Sequence, residues 1–434
     1  YDVPGDSQID TLVLSDGDSR VNFNTGCNLE VLYEADIYGI IASNDSRFTA
    51  TGAFSAMEGC TARILGENGA DIALTDDTYC SKDIWRSWDA SGSYGDQSGT
   101  WEPVILQSSG EETLVALSSV VDFDAAIDAS GNDFNYQRII VENGGALDLS
   151  DLQNYLAPLD NRSVVKFVVT GPGSELRLNS LSTINDSTVS SYYHHGSTWF
   201  LLDNAILSLP LLDSVQQTYF GLSSGTSLNL PAVSTMEDTQ FIVSGGSTVT
   251  DGTGASVYST LNIWRNWDAS GSYGDQAGTW EPVILQSSGA GSLLDLSSVQ
   301  TLNAGFDNSG NDYVYQNIIA EDSGSIDLSG LQNIIAPVDP QGRLNISVSG
   351  ADTKLTLDSL TEINGSYSGS YYYFSKVPFI LDSANLSLPS LDKTGQASFA
   401  LTNNANLQLP AVSTMEDTQF FVSGGSTVVD GTGP

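Results

Sequence analysis

The chain has 434 residues, 40% of them hydrophobic, and it carries 53 acidic against 14 basic residues, a formal charge of −39. Nucleic acids and anionic membrane surfaces bind basic faces of proteins, so this charge argues against both as partners. Because no run of about 20 apolar residues occurs, no membrane-spanning helix is predicted.

Residues 1–83 contain strand–turn–strand stretches, and we interpret them as an N-terminal domain of early coils with a modified cap. The chain begins with Tyr1 rather than Met, which favours signal-peptide removal and an extracellular or cell-surface location. Its three cysteines, Cys27, Cys60 and Cys80, all lie here. The odd number allows at most one intrachain disulfide, whose pairing stays open, and the spacing matches no zinc pattern.

From residue 84 onward the sequence is written twice. Residues 84–255 align with 263–434 at a constant offset and without a gap. The stretch IWRSWDASGSYGDQSGTWEPVILQSSG (84–110) returns at 263–289 with two changes, and LPAVSTMEDTQF recurs unchanged near the end of both copies. We therefore predict two tandem, near-identical 179-residue units, 84–262 and 263–434.

Each copy contains a shorter repeat: an apolar strand, a Gly/Ser/Asn/Asp turn, then an alternating strand of the form LxLxxL. In the first copy its central leucines stand at separations of 32, 29, 31 and 21. These leucines are Leu117, Leu149, Leu178, Leu209 and Leu230, answered by Leu296, Leu328, Leu357, Leu388 and Leu409. Such periods, with alternation inside each repeat, predict one coil of a β-solenoid per repeat.

The predicted fold class is all-β: an elongated parallel β-helix whose inward Leu, Ile and Val side chains stack from coil to coil. Gly, Asn and Asp at the corners supply the tight conformations that each turn needs. Prolines that follow LxL segments are expected at strand ends, where no backbone donor is required: Pro210, Pro231, Pro389 and Pro410. The alternative is a β-sandwich, which gives no reason for one pattern to recur in consecutive segments.

The GxxLxLxxLxxI-type coils resemble the right-handed β-helix repeats of large secreted and cell-surface proteins of environmental bacteria, and more loosely the coils of receptor L-domains. The resemblance covers nearly all of residues 100–434. It implies a fold and an extracellular location rather than an activity.

The duplicated tryptophan loops lie between coils and are the candidate interface or ligand-binding sites, because Trp and Tyr are favoured anchors at interfaces. Packing of the tryptophans over the coil edge is the alternative role. The candidates are Trp85, Arg86, Trp88, Tyr94 and Trp101, with Trp264, Arg265, Trp267, Tyr273 and Trp280 in the second copy.

Gly-centred turns with carboxylates and amides are candidate Ca²⁺ sites, although Asx-turn chemistry alone also explains them. They match neither the EF-hand spacing nor the nonapeptide pattern of calcium-loaded β-rolls. The candidates are Asp89, Asp96, Asp128, Asn132 and Asp133, with Asp268, Asp275, Asp307, Asn311 and Asp312. No other cofactor is expected.

A catalytic role is the main rival to a structural one, since β-helices also host polysaccharide lyases and hydrolases. The only histidines, His194 and His195, become Tyr373 and Phe374 in the second copy. The sequence contains no nucleophile–base arrangement, phosphate loop or cofactor fingerprint. We therefore predict that the protein is not an enzyme.

The second copy stops at Pro434, where the first continues GASVYSTLNIW. An uncovered last coil is an unpaired sheet edge that recruits further strands, so we expect head-to-tail association with copies of the same chain. The expected function is that of a secreted structural protein, the subunit of an extracellular filament or surface fibre. The alternatives are the stalk or ligand-binding part of a large bacterial adhesin, with surface glycans as partners, and a β-helix polysaccharide lyase or hydrolase.

Overall fold

A computed structural model describes most of the chain from residue 62 onward. The described ranges are 62–82, 84, 100–101, 103–126, 134–159, 163–184, 198–252, 254, 256–261, 263, 279–306, 313–338, 342–365 and 376–431. Five strands before residue 51 are described by their backbone alone, as are residues 62, 100–101, 134–136, 279–280 and 313–314. The chain divides into two compact units, Tyr1–Ser191 with Ser197–Leu212, and Tyr192–Gly196 with Asp213–Pro434.

The described residues contain strands and turns but no α-helix. The strands up to residue 80 are β1 (Asp2–Pro4), β2 (Asn22–Asn24), β3 (Asn28–Glu34), β4 (Ile37–Ser43), β5 (Arg47–Ala50), β6 (Ala62–Glu67), β7 (Asp71–Leu74) and β8 (Thr78–Cys80). The rest of the first unit contains β9 (Thr100–Trp101), β10 (Val104–Ser109), β11 (Leu114–Ala116), β12 (Asp122–Asp124), β13 (Phe134–Glu142), β14 (Ala146–Asp148), β15 (Asn154–Leu156), β16 (Ser163–Thr170), β17 (Glu175–Arg177), β18 (Thr183–Ile184), β19 (Thr198–Asp203) and β20 (Ile206–Ser208).

The second unit begins with β21 (Ser214–Gln216), β22 (Thr218–Ser223), β23 (Ser227–Leu230), β24 (Thr235–Glu237), β25 (Gln240–Ser244), β26 (Thr248–Asp251), β27 (Val257–Ser259), β28 (Thr279–Trp280), β29 (Val283–Ser288), β30 (Leu293–Asp295) and β31 (Thr301–Asn303). It continues with β32 (Tyr313–Glu321), β33 (Ser325–Asp327), β34 (Asn333–Ile335), β35 (Arg343–Ser349), β36 (Lys354–Thr356), β37 (Glu362–Asn364), β38 (Val377–Asp382), β39 (Asn385–Ser387), β40 (Lys393–Gly395), β41 (Ala397–Thr402), β42 (Asn406–Leu409), β43 (Thr414–Glu416), β44 (Gln419–Val422) and β45 (Thr427–Asp430).

Three parallel sheets form each unit, and each complete coil adds one strand to every sheet. In the first unit, sheet I contains β6, β10, β13, β16 and β19. Sheet II contains β5, β7, β11, β14, β17 and β20, and sheet III contains β8, β12 and β15. The second unit repeats this order, for example β25, β26, β27 and then β29, β30, β31. Parallel pairing of consecutive coils excludes the sandwich alternative and confirms the parallel β-solenoid.

The interior consists of side-chain columns that run from coil to coil. In sheet II of the first unit, Val115, Leu147, Leu176 and Leu207 occupy one register and are at most 6% exposed. All ten leucines predicted to point inward are buried. Aromatic columns accompany them, with T-shaped contacts from Tyr79 to Phe123 and from Phe123 to Tyr155.

The corners confirm the predicted turn chemistry. At the corner between sheets I and II, Asn68 and Asn143 have φ of 52° and 55°, and each precedes a glycine that also has positive φ. The left-handed region suits Asn and Gly because it crowds a Cβ atom in most other residues. Pro231 and Pro410 come directly after β23 and β42, as expected for residues without a backbone donor.

Strand bounds recur in step with the sequence repeat. Each strand from β10 to β26 has a counterpart at the equivalent position of the second copy, and the bounds agree to within a single position. The domain boundaries predicted at 84, 263 and 434 stay a prediction.

The N-terminal strands depart from the coil pattern. β3 and β4 pair antiparallel along their whole length, and β4 then joins β6 of sheet I in parallel. β2 also pairs antiparallel with β3. An antiparallel hairpin therefore precedes the first regular coil of sheet I.

Candidate functional site

In each unit the long connections leave from one corner, where the chain passes from a sheet III strand to the sheet I strand of the next coil. We call this the loop-bearing corner. In the first unit it carries the connections after β8, β12, β15 and β18, at residues 81–103, 125–133, 157–162 and 185–197. In the second unit it carries 260–282, 304–312, 336–342 and 365–376. Because neighbouring strands lie about 4.8 Å apart, the bases of successive loops are close neighbours along this corner.

Other coils cross the same corner with only one or two residues. Gln217 and Gln396 alone separate a sheet III strand from the next sheet I strand, and Asp238 and Asp417 do so together with the threonine that follows each. All four residues have φ between 47° and 53°. The coil therefore closes without any insertion at this corner. The longer connections are additions to a complete scaffold, and surface loops on rigid scaffolds are where binding residues concentrate.

A buried glutamine fixes the start of the first tryptophan loop. Gln137 of β13 is fully buried, accepts a hydrogen bond from Ser81 Oγ at 2.7 Å, and donates through Nε2 to the carbonyl oxygens of Ser81 and Ile84. The Ile84 amide donates back to the Ser81 carbonyl at 2.9 Å, which closes a turn just before Trp85. A buried amide with its donor and acceptor groups engaged stabilises this turn without an unsatisfied polar group.

The end of the same loop attaches to the same strand. β9 pairs with the first residues of β13, Thr100 opposite Phe134 and Trp101 opposite Asn135. The Arg138 amide then donates to the Pro103 carbonyl at 2.8 Å. The residues on either side of the 85–99 segment therefore both hydrogen-bond to β13.

The second copy repeats this base. Gln316 is fully buried, accepts from Thr260 Oγ1 at 2.7 Å, and donates to the carbonyls of Thr260 at 2.6 Å and Ile263 at 2.8 Å. β28 pairs with the start of β32, as β9 does with β13. The donor hydroxyl changes from Ser to Thr while the hydrogen bonds stay the same.

Neither glutamine is among the site residues predicted from the sequence, although the sequence contains a signal for both. Gln137 and Gln316 stand in the corresponding stretches NYQRII and VYQNII, at inward positions where the alternation calls for an apolar side chain. A polar residue at the same inward position of both copies predicts a buried hydrogen-bonding role.

The predicted site residues belong by sequence to the connections of the loop-bearing corner, and they lie outside the residues that the structure describes in atomic detail. Trp101 and Trp280 are placed by their backbone in β9 and β28. The other loop candidates, Trp85, Arg86, Trp88 and Tyr94 with Trp264, Arg265, Trp267 and Tyr273, lie outside the described residues, as do all ten Ca²⁺ candidates and both histidines. Elsewhere, within the described residues, no three His, Cys, Asp or Glu side chains come together as a metal site.

One of the three cysteines is accounted for. Cys80 ends β8 at the start of the loop-bearing corner and is disulfide-bonded. Cys27 and Cys60 lie outside the residues whose side chains are described, so the partner is one of these two.

The last coil exposes side chains that its counterpart in the first copy buries. We call β43, β44 and β45 the end coil. Phe420 is 38% exposed and Met415 43% exposed, whereas the corresponding Phe241 and Met236 are completely buried. Likewise, Val422 is 47% exposed while Val243 is buried. The same inward pattern therefore ends in an open cross-section of the core.

The end coil also presents free strand edges. Within the described part of the chain, β43, β44 and β45 each pair on one side only, with β40, β41 and β42. The Phe379–Phe399–Phe420 column, with ring centroids 5.1 and 5.2 Å apart, ends at Phe420. Edge strands with an apolar cross-section are the usual template for adding another strand.

No protein family, curated protein or solved structure matches this chain. Within the described residues, no helix has the length and apolar character needed to span a membrane.

The outer face of sheet II differs in charge between the copies. In the first copy, Asp148 lies 3.5 Å from Arg177, which also pairs with Glu175 at 2.5 Å. In the second copy, Thr356 stands in place of Arg177, and Asp327 lies next to Asp295 on the adjoining strand.

Burial, together with the charges of these two aspartates, raises the pKa of the neighbouring Asp251 carboxyl group. The pKa of Asp251 is raised to about 6, mainly by burial, although a hydrogen bond from Ser298 lowers it. The negative charges of Asp295 and Asp327 raise this pKa further. Asp251 therefore titrates at a higher pH than an ordinary aspartate.

Proposed function

We propose that the protein is an extracellular structural subunit that associates end to end, its end coil being the assembly surface, to form a filament or surface fibre. The observation that carries the proposal is the contrast between the end coil and residues 235–251. Nearly the same sequence is buried beneath a following coil in one copy and open in the other.

The size of the uncovered surface supports association of moderate strength. Full burial of a large apolar side chain contributes about 1.5–3 kcal/mol, so covering the exposed parts of Met415, Phe420 and Val422 contributes roughly 1 kcal/mol each. Added strand hydrogen bonds contribute about 0.5–1.5 kcal/mol apiece. Association costs at least about 4 kcal/mol in lost freedom, so we expect assembly to depend on protein concentration.

The beginning of the first unit also offers a strand edge. Within the described residues, β5 pairs with β7 alone, so sheet II of that unit starts with an edge strand. A head-to-tail contact between a C-terminal and an N-terminal strand edge is heterologous and continues indefinitely, which is the geometry of a fibre.

Two features support an extracellular location. The Cys80 disulfide is typical of oxidising compartments. The resemblance to bacterial cell-surface β-helix proteins supports the same location. The formal charge of −39 makes neighbouring subunits repel, so we expect salt to promote assembly by screening.

Sedimentation velocity and negative-stain microscopy of the purified 434-residue chain, over a range of concentrations, test this proposal. Met415→Lys with Val422→Lys places two charges on the open cross-section and is expected to keep the chain monomeric. Thr427→Lys adds a charge on the outward face of the same coil and serves as the control. A wild type that stays strictly monomeric at high concentration would overturn the proposal.

The loop-bearing corner favours a second function, that of an adhesin stalk which presents the tryptophan loops to surface glycans. Its supporting observation is the doubly anchored loop base, repeated at Gln137 and Gln316. Glycan-array binding by the full chain tests it. Binding that is lost in Trp88→Ala with Trp267→Ala supports this role, and binding that survives the double substitution contradicts it.

A third function, that of a polysaccharide lyase or hydrolase, has no described residue in its favour. The absence of catalytic activity stays a prediction.

A further inference from the structure

We infer that the end coil is built to receive one specific partner, a further parallel solenoid coil with the side-chain pattern of β27, β29 and β30. This inference rests on the assembly surface proposed above and names what covers it. The partner supplies three segments in order, one for each sheet.

The end coil and its first-copy counterpart are nearly identical in sequence. Residues 409–430 repeat residues 230–251 with two differences, Phe421 for Ile242 and Val429 for Thr250. Both positions point outward, because Ile242 and Thr250 are half-buried beside buried neighbours. The inward side chains of the end coil are therefore the same as those of the first copy.

The structure shows which strands cover β24, β25 and β26, the first-copy counterparts of the end coil. β24 is covered by β27, β25 by β29, and β26 by β30. In this arrangement Phe241 lies opposite Leu285, and Val249 lies opposite Leu294. By equivalence of the two copies, Phe420 and Val428 require leucines above them.

Backbone groups at the corners extend the match. The Asp238 amide donates to the Ser259 carbonyl at 2.7 Å, and the Leu293 amide donates to the Ser247 carbonyl at 2.9 Å. The counterparts of the first-copy donor and acceptor are the Asp417 amide and the Ser426 carbonyl. A partner in the same register therefore continues the ladder at two corners as well as along the strands.

The covering segment is also nearly neutral. VILQSSGAGSLLDLSSVQTLN at 283–303, which covers β25 and β26, contains a single charged residue, Asp295. In a chain with a formal charge of −39, a segment with one charged residue can approach the end coil without strong repulsion. Aliphatic and hydroxyl side chains are thus the chemistry that fits the end coil.

The test appends residues 256–306 to the C-terminus of the full chain and follows hydrogen exchange of the backbone amides by mass spectrometry. Amides of β44 are expected to exchange about tenfold or more slowly than in the parent chain, approaching the protection of β25. The β25 amides in the same sample report that the solenoid is folded. An appended segment of the same composition in scrambled order is the control.

Two variants of the extended chain sharpen the outcome. Phe420→Lys with Val422→Lys is expected to abolish the added protection, whereas Phe421→Ile with Val429→Thr, which restores the first-copy sequence, is expected to preserve it. Equal exchange of β44 with the true and scrambled extensions, beside a protected β25, overturns the inference.

This inference and the proposed function fail in different ways. Protection by the extension in a parent chain that never self-associates upholds this inference and rejects end-to-end assembly. Assembly of the parent chain without protection by the extension rejects the inference, and loss of that assembly in Met415→Lys with Val422→Lys keeps the end coil as the assembly surface of the proposed function.

Discussion

Replacing the same phenylalanine in the two copies measures how much the covering coil contributes to stability. Phe241 and Phe420 stand in nearly the same sequence, and each stacks on the phenylalanine of the preceding coil, with ring centroids 5.2 Å apart in both cases. They differ in cover, because Phe241 is fully buried and Phe420 is 38% exposed. Alanine at each position therefore removes the same atoms from two different surroundings.

The two substitutions are expected to differ clearly in their cost to the free energy of unfolding. A fully buried Phe→Ala change costs about 3–5 kcal/mol, which includes a cavity that the surroundings cannot close. At position 420 more than a third of the residue is already exposed, and an open coil end leaves no enclosed cavity. We therefore expect a cost of about 4 kcal/mol for Phe241→Ala and of roughly half that or less for Phe420→Ala.

Urea unfolding followed by circular dichroism measures both free energies, at a concentration where sedimentation shows monomer. The denaturant dependence must agree between the variants, because a solenoid can lose its end coil separately from the rest. Equal losses in the monomer, both as large as that of a fully buried phenylalanine, would refute the reasoning, since Phe420 would then already be covered. At assembling concentrations we expect the difference between the two variants to shrink.

Three further changes test the site and the charges. Gln137→Leu removes three hydrogen bonds to Ser81 and Ile84 and leaves buried polar groups without partners. We therefore expect the free energy of unfolding to fall by about 2–4 kcal/mol and the amides at 81–84 to exchange faster. Gln316→Leu is the matched variant in the second copy. Asp251 has a raised pKa of about 6, so the folded state binds its proton at higher pH than the unfolded state and stability falls as pH rises from about 4 to 6. Asp251→Asn is expected to remove that decline in urea titrations and to stabilise the protein at pH 7, while an unchanged pH profile would contradict the assignment. Arg177→Met breaks partly exposed ion pairs to Asp148 and Glu175 and is expected to cost about 1 kcal/mol, with a smaller effect in high salt. A loss above about 2 kcal/mol would show that these pairs contribute more than surface ion pairs usually do.

The sequence by itself determined the class of fold. Alternation inside each repeat identified inward residues such as Leu117, Leu149 and Leu178, all of which are buried. Turn residues such as Asn143 marked corners correctly, because the left-handed conformation is a local preference of the residue itself. These features depend on residues only a few positions apart, so one sequence is enough to predict them.

The tertiary structure alone decided how coils contact one another. Three features depend on contacts between successive coils. A coil has three strands, the long connections of each unit leave from one corner, and Gln137 hydrogen-bonds a loop base more than 50 positions earlier in the chain. Phe241 and Phe420 give the clearest case, since near-identical sequences bury one ring and expose the other. Burial of each ring depends on whether a following coil covers it, and the local sequence that the two rings share contains no part of that coil.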